Sequence, residues 1–255
     1  MNDILKGNDL THALLDGIDI PIGGGLSVRS IPMDEMAKFG FDTFSETISL
    51  LCIDEYKLRQ ELHDEDITTF IYVARLVYRY QKYKEPIEGL NILSVLSIIF
   101  GSKVTFNVNY GFVVDDKYVL GSANYDDFKK ILRARFCLDI GTSNDEDDDN
   151  PADARTKALL RRRREIREKL KRCKQSSYEE YHENCIGFTD YVSIFAEFQK
   201  ISLHDVYVKY DIYQFYDQFK RMKIDREYSD GLKAVLAGTK VDLKHWFSKI
   251  ETENE

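Results

Sequence analysis

Residues 141–150 of this 255-residue chain read Gly-Thr-Ser-Asn-Asp-Glu-Asp-Asp-Asp-Asn. Ten successive positions without a large apolar side chain cannot cross a hydrophobic core, and clustered carboxylates hold such a run in water. The run therefore divides the chain. Regular structure restarts at Asn150-Pro151, because Asn caps helix N-termini and proline is tolerated at the first helical position. The expected organisation is an N-terminal lobe over residues 1–140, an acidic linker over 141–150, and a C-terminal lobe over 151–255 that opens with a basic helix.

The remaining punctuation is sparse. Only four prolines and 14 glycines are present, which favours long helices over a fold of many turns. Residues 17–22 and 26–31 alternate apolar and polar around Gly23-Gly24-Gly25, so they read as a hairpin with a glycine turn. Helices are expected over 33–39, stopped by Gly40, over 43–52 and around 55–63. Another runs over 67–81, with Asp66 as its cap and Ile67, Phe70, Ile71, Ala74, Val77 and Tyr78 on its inner face. A helix opened by Pro86 runs to Phe100 and is apolar nearly all round, so it belongs in the core. Segments 104–108, 112–114 and 118–120 read as strands, and Asn124 as the cap of a helix over 125–136. In the C-terminal third, Thr189 is expected to cap 190–199. Ser202 and Asp205 form a capping box opening a helix over 203–222, and helices follow over 228–236 and 241–250. The fold class is mainly α (α+β): two helical lobes with a small antiparallel β element.

Several functions start at a disadvantage. The net charge of −8 disfavours a dedicated nucleic-acid binder. Cys52, Cys137, Cys173 and Cys185 include no Cys-x-x-Cys pair, and His12, His63, His182, His204 and His245 no His-x-x-x-His pair, so neither a zinc site nor a disulfide framework is expected. Tyr181-His182-Glu183-Asn184-Cys185 lacks a third ligand or a base-orienting partner. The acidic run fails as a calcium loop, because counting from Asp145 puts Asn150 where glycine is needed and Thr156 where glutamate is needed. The three glycines lack the lysine of a phosphate-binding loop. No leader-like or membrane-spanning apolar segment is read. The expectation is a chain without catalytic residues or cofactor, at work in the cytoplasm.

Two segments remain as candidate partner-binding surfaces. Residues 155–174 hold eleven Lys or Arg against two Glu. Arg161, Arg162, Arg163 and Arg164 are consecutive, and Arg167 and Lys171 follow. Leu159, Ile166, Leu170 and Cys173 supply a narrow apolar stripe by which such a helix could dock. The arginines could then face solvent, an acidic protein surface, the acidic linker itself or a nucleic-acid backbone, although aromatics for base stacking are missing. Residues 203–222 are rich in Tyr and Phe; Tyr210 and Tyr213 are the candidate contacts there, since tyrosine gives large contact area at low entropy cost. Trp246 reads as a core anchor.

Taken together, Ile31-Pro32-Met33-Asp34-Glu35-Met36, Gly40-Phe41-Asp42-Thr43-Phe44, Asn124-Tyr125-Asp126-Asp127-Phe128, Asn150-Pro151-Ala152-Asp153, Ala237-Gly238 and His245-Trp246-Phe247 resemble the tail and baseplate assembly proteins of large long-tailed bacteriophages of Gram-positive hosts. The resemblance implies a non-enzymatic role, as an assembly chaperone or minor structural part, with other phage structural or assembly proteins or further copies of itself as partners. It also implies residence in the host cytoplasm or the virion. The alternative is a nucleic-acid-associated accessory protein using residues 155–174.

Overall fold

A computed structural model describes residues 8–85, 87–138 and 187–238. The acidic linker, the basic segment 155–174, Pro86 and the expected helix over 241–250 with Trp246 lie outside these residues. The described part is mainly helical with two small antiparallel sheets.

Helix α1 (Asn8–Leu15) leads into the hairpin of β1 (Ile20–Gly23) and β2 (Leu26–Val28). Ile20 pairs with Val28 and Pro21 with Ser27, so Ile20, Ile22, Leu26 and Val28 all point into the core. The turn needs its glycines: Gly23, Gly24 and Gly25 have φ of 88°, 62° and 78°, a region that side chains with a Cβ resist. Helices α2 (Met33–Phe39) and α3 (Phe41–Leu51) meet at Gly40, and α4 (Glu55–Leu62) follows.

Helix α5 (Thr69–Tyr83) starts later than its sequence suggested. Thr68, not Asp66, is the cap; its side chain accepts from the Ile71 N–H at 3.3 Å. Asp66 is held in a local turn, its N–H donating to Asp64. The buried face is also rotated from the expected one: Thr69, Val73 and Val77 are buried, while Ile71 and Tyr78 are exposed. Helix α6 (Glu88–Phe100) lies in the core as expected and buries Ile92, Val95, Leu96 and Ile99. It touches α5 at Gly89, where an added Cβ would stand 2.8 Å from the Leu76 carbonyl oxygen and 2.5 Å from Tyr80 Cβ.

Strands β3 (Val104–Asn107), β4 (Gly111–Val114) and β5 (Tyr118–Leu120) form a meander in register Val104–Val114, Phe106–Phe112 and Phe112–Leu120. Its second turn places Asp115 and Asp116 at φ of 51° and 54°, a primed turn matched to strand twist. Helix α7 (Ser122–Arg135) begins three residues before its expected start. Asn124 is not the cap but the third helical residue, and its side chain accepts from the Gly121 N–H at 2.9 Å.

After the undescribed segment come α8 (Phe188–Gln199), α9 (Leu203–Lys209) and α10 (Ile212–Leu236). Gly187 caps α8 in place of Thr189, with Asp190 reaching back to the Gly187 N–H at 2.8 Å. Ser202 caps α9, its Oγ accepting from the Asp205 N–H at 3.0 Å, but the Asp205 carboxylate meets the Ser202 hydroxyl and the Lys209 ammonium instead of closing the expected box on the Ser202 N–H. The single helix expected over 203–222 is broken at Tyr210, and 228–236 is the end of α10, not a separate helix.

Two apolar clusters result. The larger gathers Phe44, Ile48, Leu51, Val77, α6, Phe112, Tyr125 and Phe128, with the β1–β2 hairpin against it. The smaller holds Val192, Phe195, Ala196, Val206, Phe215 and Met222, and it takes Met33 from α2. The Met33 N–H donates to the Tyr210 carbonyl at 3.0 Å, and Phe41 stacks on Phe188 with centroids 4.5 Å apart.

Candidate functional site

The break at Tyr210 creates the most enclosed polar centre among the described residues. Asp211 caps α10, accepting from the Gln214 N–H at 2.9 Å, while Gln214 accepts from the Asp211 N–H at 3.1 Å. That reciprocal cap turns the Asp211 carboxylate toward α7. Arg135, in the last turn of α7, meets it with Nη1 at 3.0 Å from Oδ2, and the two side chains are 1% and 2% exposed. Ser30 Oγ donates to the same oxygen at 2.7 Å, and Arg135 Nη2 donates to the Ile18 carbonyl at 2.7 Å. Gln214 Nε2 donates to the Leu15 carbonyl at 2.9 Å. Burial holds the Arg135 guanidinium below the ordinary arginine range, and the adjacent Asp211 charge works against that shift. Beyond the local Asp211–Gln214 cap, each of these contacts joins one chain segment to another. The centre is a clamp: it fixes where α10 leaves the N-terminal helices.

Cys137 lies beside this clamp. Burial, and then the Asp211 charge, push its thiol up to about 12, which suppresses the thiolate needed for nucleophilic work at neutral pH. Glu55, at the start of α4, is pulled the other way. Burial acts to raise its carboxyl, but the Thr69 N–H and Lys129 ammonium outweigh it, so it lies below the usual carboxylate range. Among the described residues no group of three His, Cys, Asp or Glu is placed to hold a metal ion, and no helix is long and apolar enough to cross a membrane.

The surface that faces outward is of a different kind. Helix α8 buries Val192, Phe195 and Ala196, yet Tyr191, Ile194 and Phe198 recur at helical spacing on another side and are each about two-fifths exposed. Ile194 and Phe198, with Ser193, Glu197, Lys200 and Arg226, line an open cleft of about 520 Å³ between α8 and α10. Its lining combines the apolar Ile194 and Phe198 with charged residues, among them Glu197 paired to Lys200. Exposed apolar side chains among charged ones are the usual make-up of a protein-contact patch.

The predicted contact residues fall on both sides of the described boundary. Arg161, Arg162, Arg163, Arg164, Arg167 and Lys171 lie outside it. Tyr210 is half-buried with its ring edge-on to Phe195 at 5.5 Å. Tyr213 is half-buried against the larger cluster. Both rings contribute to internal packing, and neither borders the cleft. Arg135, Asp211 and the α8 stripe were not anticipated. Asp211-x-x-Gln214 is a capping-box signal that sequence reading could have used. Nothing local marks Arg135, whose burial is set by distant partners.

The cleft and its stripe lie in a stretch with a recognisable relative. Residues 177–251 match the model of the YomV second domain. That domain belongs to a phage-derived family, of the Bacillus phage SPBc2 prophage, and α8, α9 and α10 all fall within the matched stretch. No curated protein and no solved structure matches the chain.

Proposed function

We propose that this chain is a non-enzymatic protein of a long-tailed bacteriophage that acts in tail or baseplate assembly, as a chaperone or a minor structural part, through contacts with other proteins. The observation that carries the phage reading is the similarity of residues 177–251 to the YomV second domain. Protein contact as the mode of action is supported by Tyr191, Ile194 and Phe198, an apolar stripe set on a helix that already buries a different face. The tail or baseplate assignment rests on the resemblance of the segments around Met33, Phe44, Tyr125, Pro151 and Trp246. The partners are other phage structural or assembly proteins or a second copy of the chain, met in the host cytoplasm and, where the protein is retained, in the virion.

A second reading has one specific observation in its favour, the eleven basic residues between Arg155 and Lys174. It makes the protein a nucleic-acid-associated accessory factor. Titrating the purified protein with duplex DNA over a salt series separates the two. The assembly reading predicts negligible affinity with no steep salt slope. Tight binding that falls steeply with salt, and is lost on replacing Arg161 through Arg164 by Ala, would favour the second reading.

A further inference from the structure

Helix α5 turns a second face outward, and nothing on that helix is acidic. Its 15 residues include Arg75, Arg79 and Lys82 but no Asp or Glu, in a chain whose net charge is −8. Val73 and Val77 fasten it to the larger cluster. On another side Ile71, Ala74, Tyr78 and Gln81 recur at alternating spacings of three and four, which lines them up as one seam along the helix. Ile71 and Tyr78 are 36% and 41% exposed.

The two edges of the seam differ. One edge is closed by Val77, which is buried, and by strand β3, whose Phe106 carbonyl accepts from Gln81 Nε2 at 3.3 Å. The other edge is open and basic. Arg75 and Lys82 each follow a seam residue by one position, where paired helices carry the charges that select a partner. Arg79 lies just beyond them. Arg75 already takes one carboxylate: Asp64, from the turn before α5, stands 3.3 Å from its Nη1 in a pair that remains open to solvent. Among the described residues neither Arg79 nor Lys82 pairs with a carboxylate. The Lys82 ammonium lies instead between two tyrosine rings, 6.0 Å from the Tyr78 centroid and 5.1 Å from the Tyr83 centroid.

We propose that this face of α5 docks an amphipathic helix of another protein, whose apolar stripe meets Ile71 and Tyr78 and whose flank toward Arg75 and Lys82 carries Glu or Asp. Charge complementarity names the occupant. A helix flanked by Lys or Arg is repelled from the open edge. A nucleic-acid strand would use the cations but has no use for Ile71, and the net negative charge of the chain opposes it. The face is separate from the α8 stripe, since it stands on the larger cluster and α8 on the smaller. The inference is independent of the phage assignment.

The test puts the photo-reactive residue p-benzoylphenylalanine in place of Tyr78 in the full-length protein, within cells that naturally produce it. The same replacement at Ser49, exposed on α3, is the control. The expected product is a cross-link from position 78, absent from position 49, to another protein. Mass mapping of the joined peptide finds apolar residues at helical spacing with Glu or Asp beside them. Arg75→Glu with Lys82→Glu lowers the yield by about tenfold or more, because like charges then meet across the seam. Changing the mapped carboxylates to Lys restores it. Should the reversal shift the denaturant midpoint, Arg75→Gln with Lys82→Gln serves in its place and also lowers the yield. A cross-link only to a second copy, to another segment of the same chain or to nucleic acid overturns the proposal. So does a mapped peptide with basic flanks, a yield indifferent to both charge variants, or no cross-link beyond that of the control.

Discussion

At the residue scale the fold depends most on Arg135. A guanidinium removed from water is expensive unless its charge is met, and here one carboxylate meets it. Removing one partner should therefore cost more than removing both. Arg135→Met strands the Asp211 carboxylate and is expected to lose about 3–5 kcal/mol in chemical denaturation. Asp211→Asn retains a capping side chain for α10 and strands the arginine instead. The double variant should be more stable than the additive sum of the two, and a cycle that closes additively would deny the pair its role. Cys137 supplies a pH test. Its folded thiol lies above the ordinary value, at about 12, so its contribution to stability is complete below about pH 9 and is lost as pH rises toward 12. Mass mapping of iodoacetamide adducts at pH 8 should accordingly find Cys137 alkylated far more slowly in the folded protein than in denaturant. Equal rates would contradict its burial.

At the element scale, legibility follows how local the determining interactions are. The Gly23–Gly25 turn, the Gly40 stop and the Ser202 cap were readable because each acts within a few residues. The strands of the meander were readable because alternating and apolar runs set them. Helices that end on His63, Lys84 and Lys200 in the left-handed region carry no glycine to announce it, and Asp66, held in a turn with Asp64, leaves the capping role to Thr68. The break at Tyr210 was hidden by its neighbours. Tyr207, Tyr210, Tyr213 and Phe215 look like one aromatic helix until Asp211 is recognised as a new cap. The clamp itself was illegible, since Arg135 and Asp211 are 76 residues apart. Caps that act locally should also yield local costs. Ser202→Ala is expected to lower stability by about 1 kcal/mol, measured by denaturant midpoint. A cost near zero would mean that the Ser202 cap does not help to hold α9.

At the scale of the whole molecule, α10 belongs to two environments. Its first half is held between the N-terminal helices, through Gln214 and Asp211, and the smaller cluster, through Phe215 and Met222. Its second half extends past the last buried residue. Helix α8 beside it closes one core face and presents another to solvent. The division into two lobes, read from the acidic run, is bridged in the described residues by Met33, by Phe41 on Phe188 and by the Arg135 clamp. An architecture of this kind suits the presentation of a fixed apolar surface, and we propose that a protein partner meets it there. The direct measurement compares full-length wild type with an Ile194→Asp, Phe198→Asp variant, both tagged, in phage-producing cells. Circular dichroism and the denaturant midpoint serve as controls for folding. The account predicts that wild type is recovered, after nuclease treatment, with identified tail or baseplate components, and that the variant folds but loses them. Equal recovery of the two proteins, or an association of wild type that vanishes with the nuclease, would contradict it.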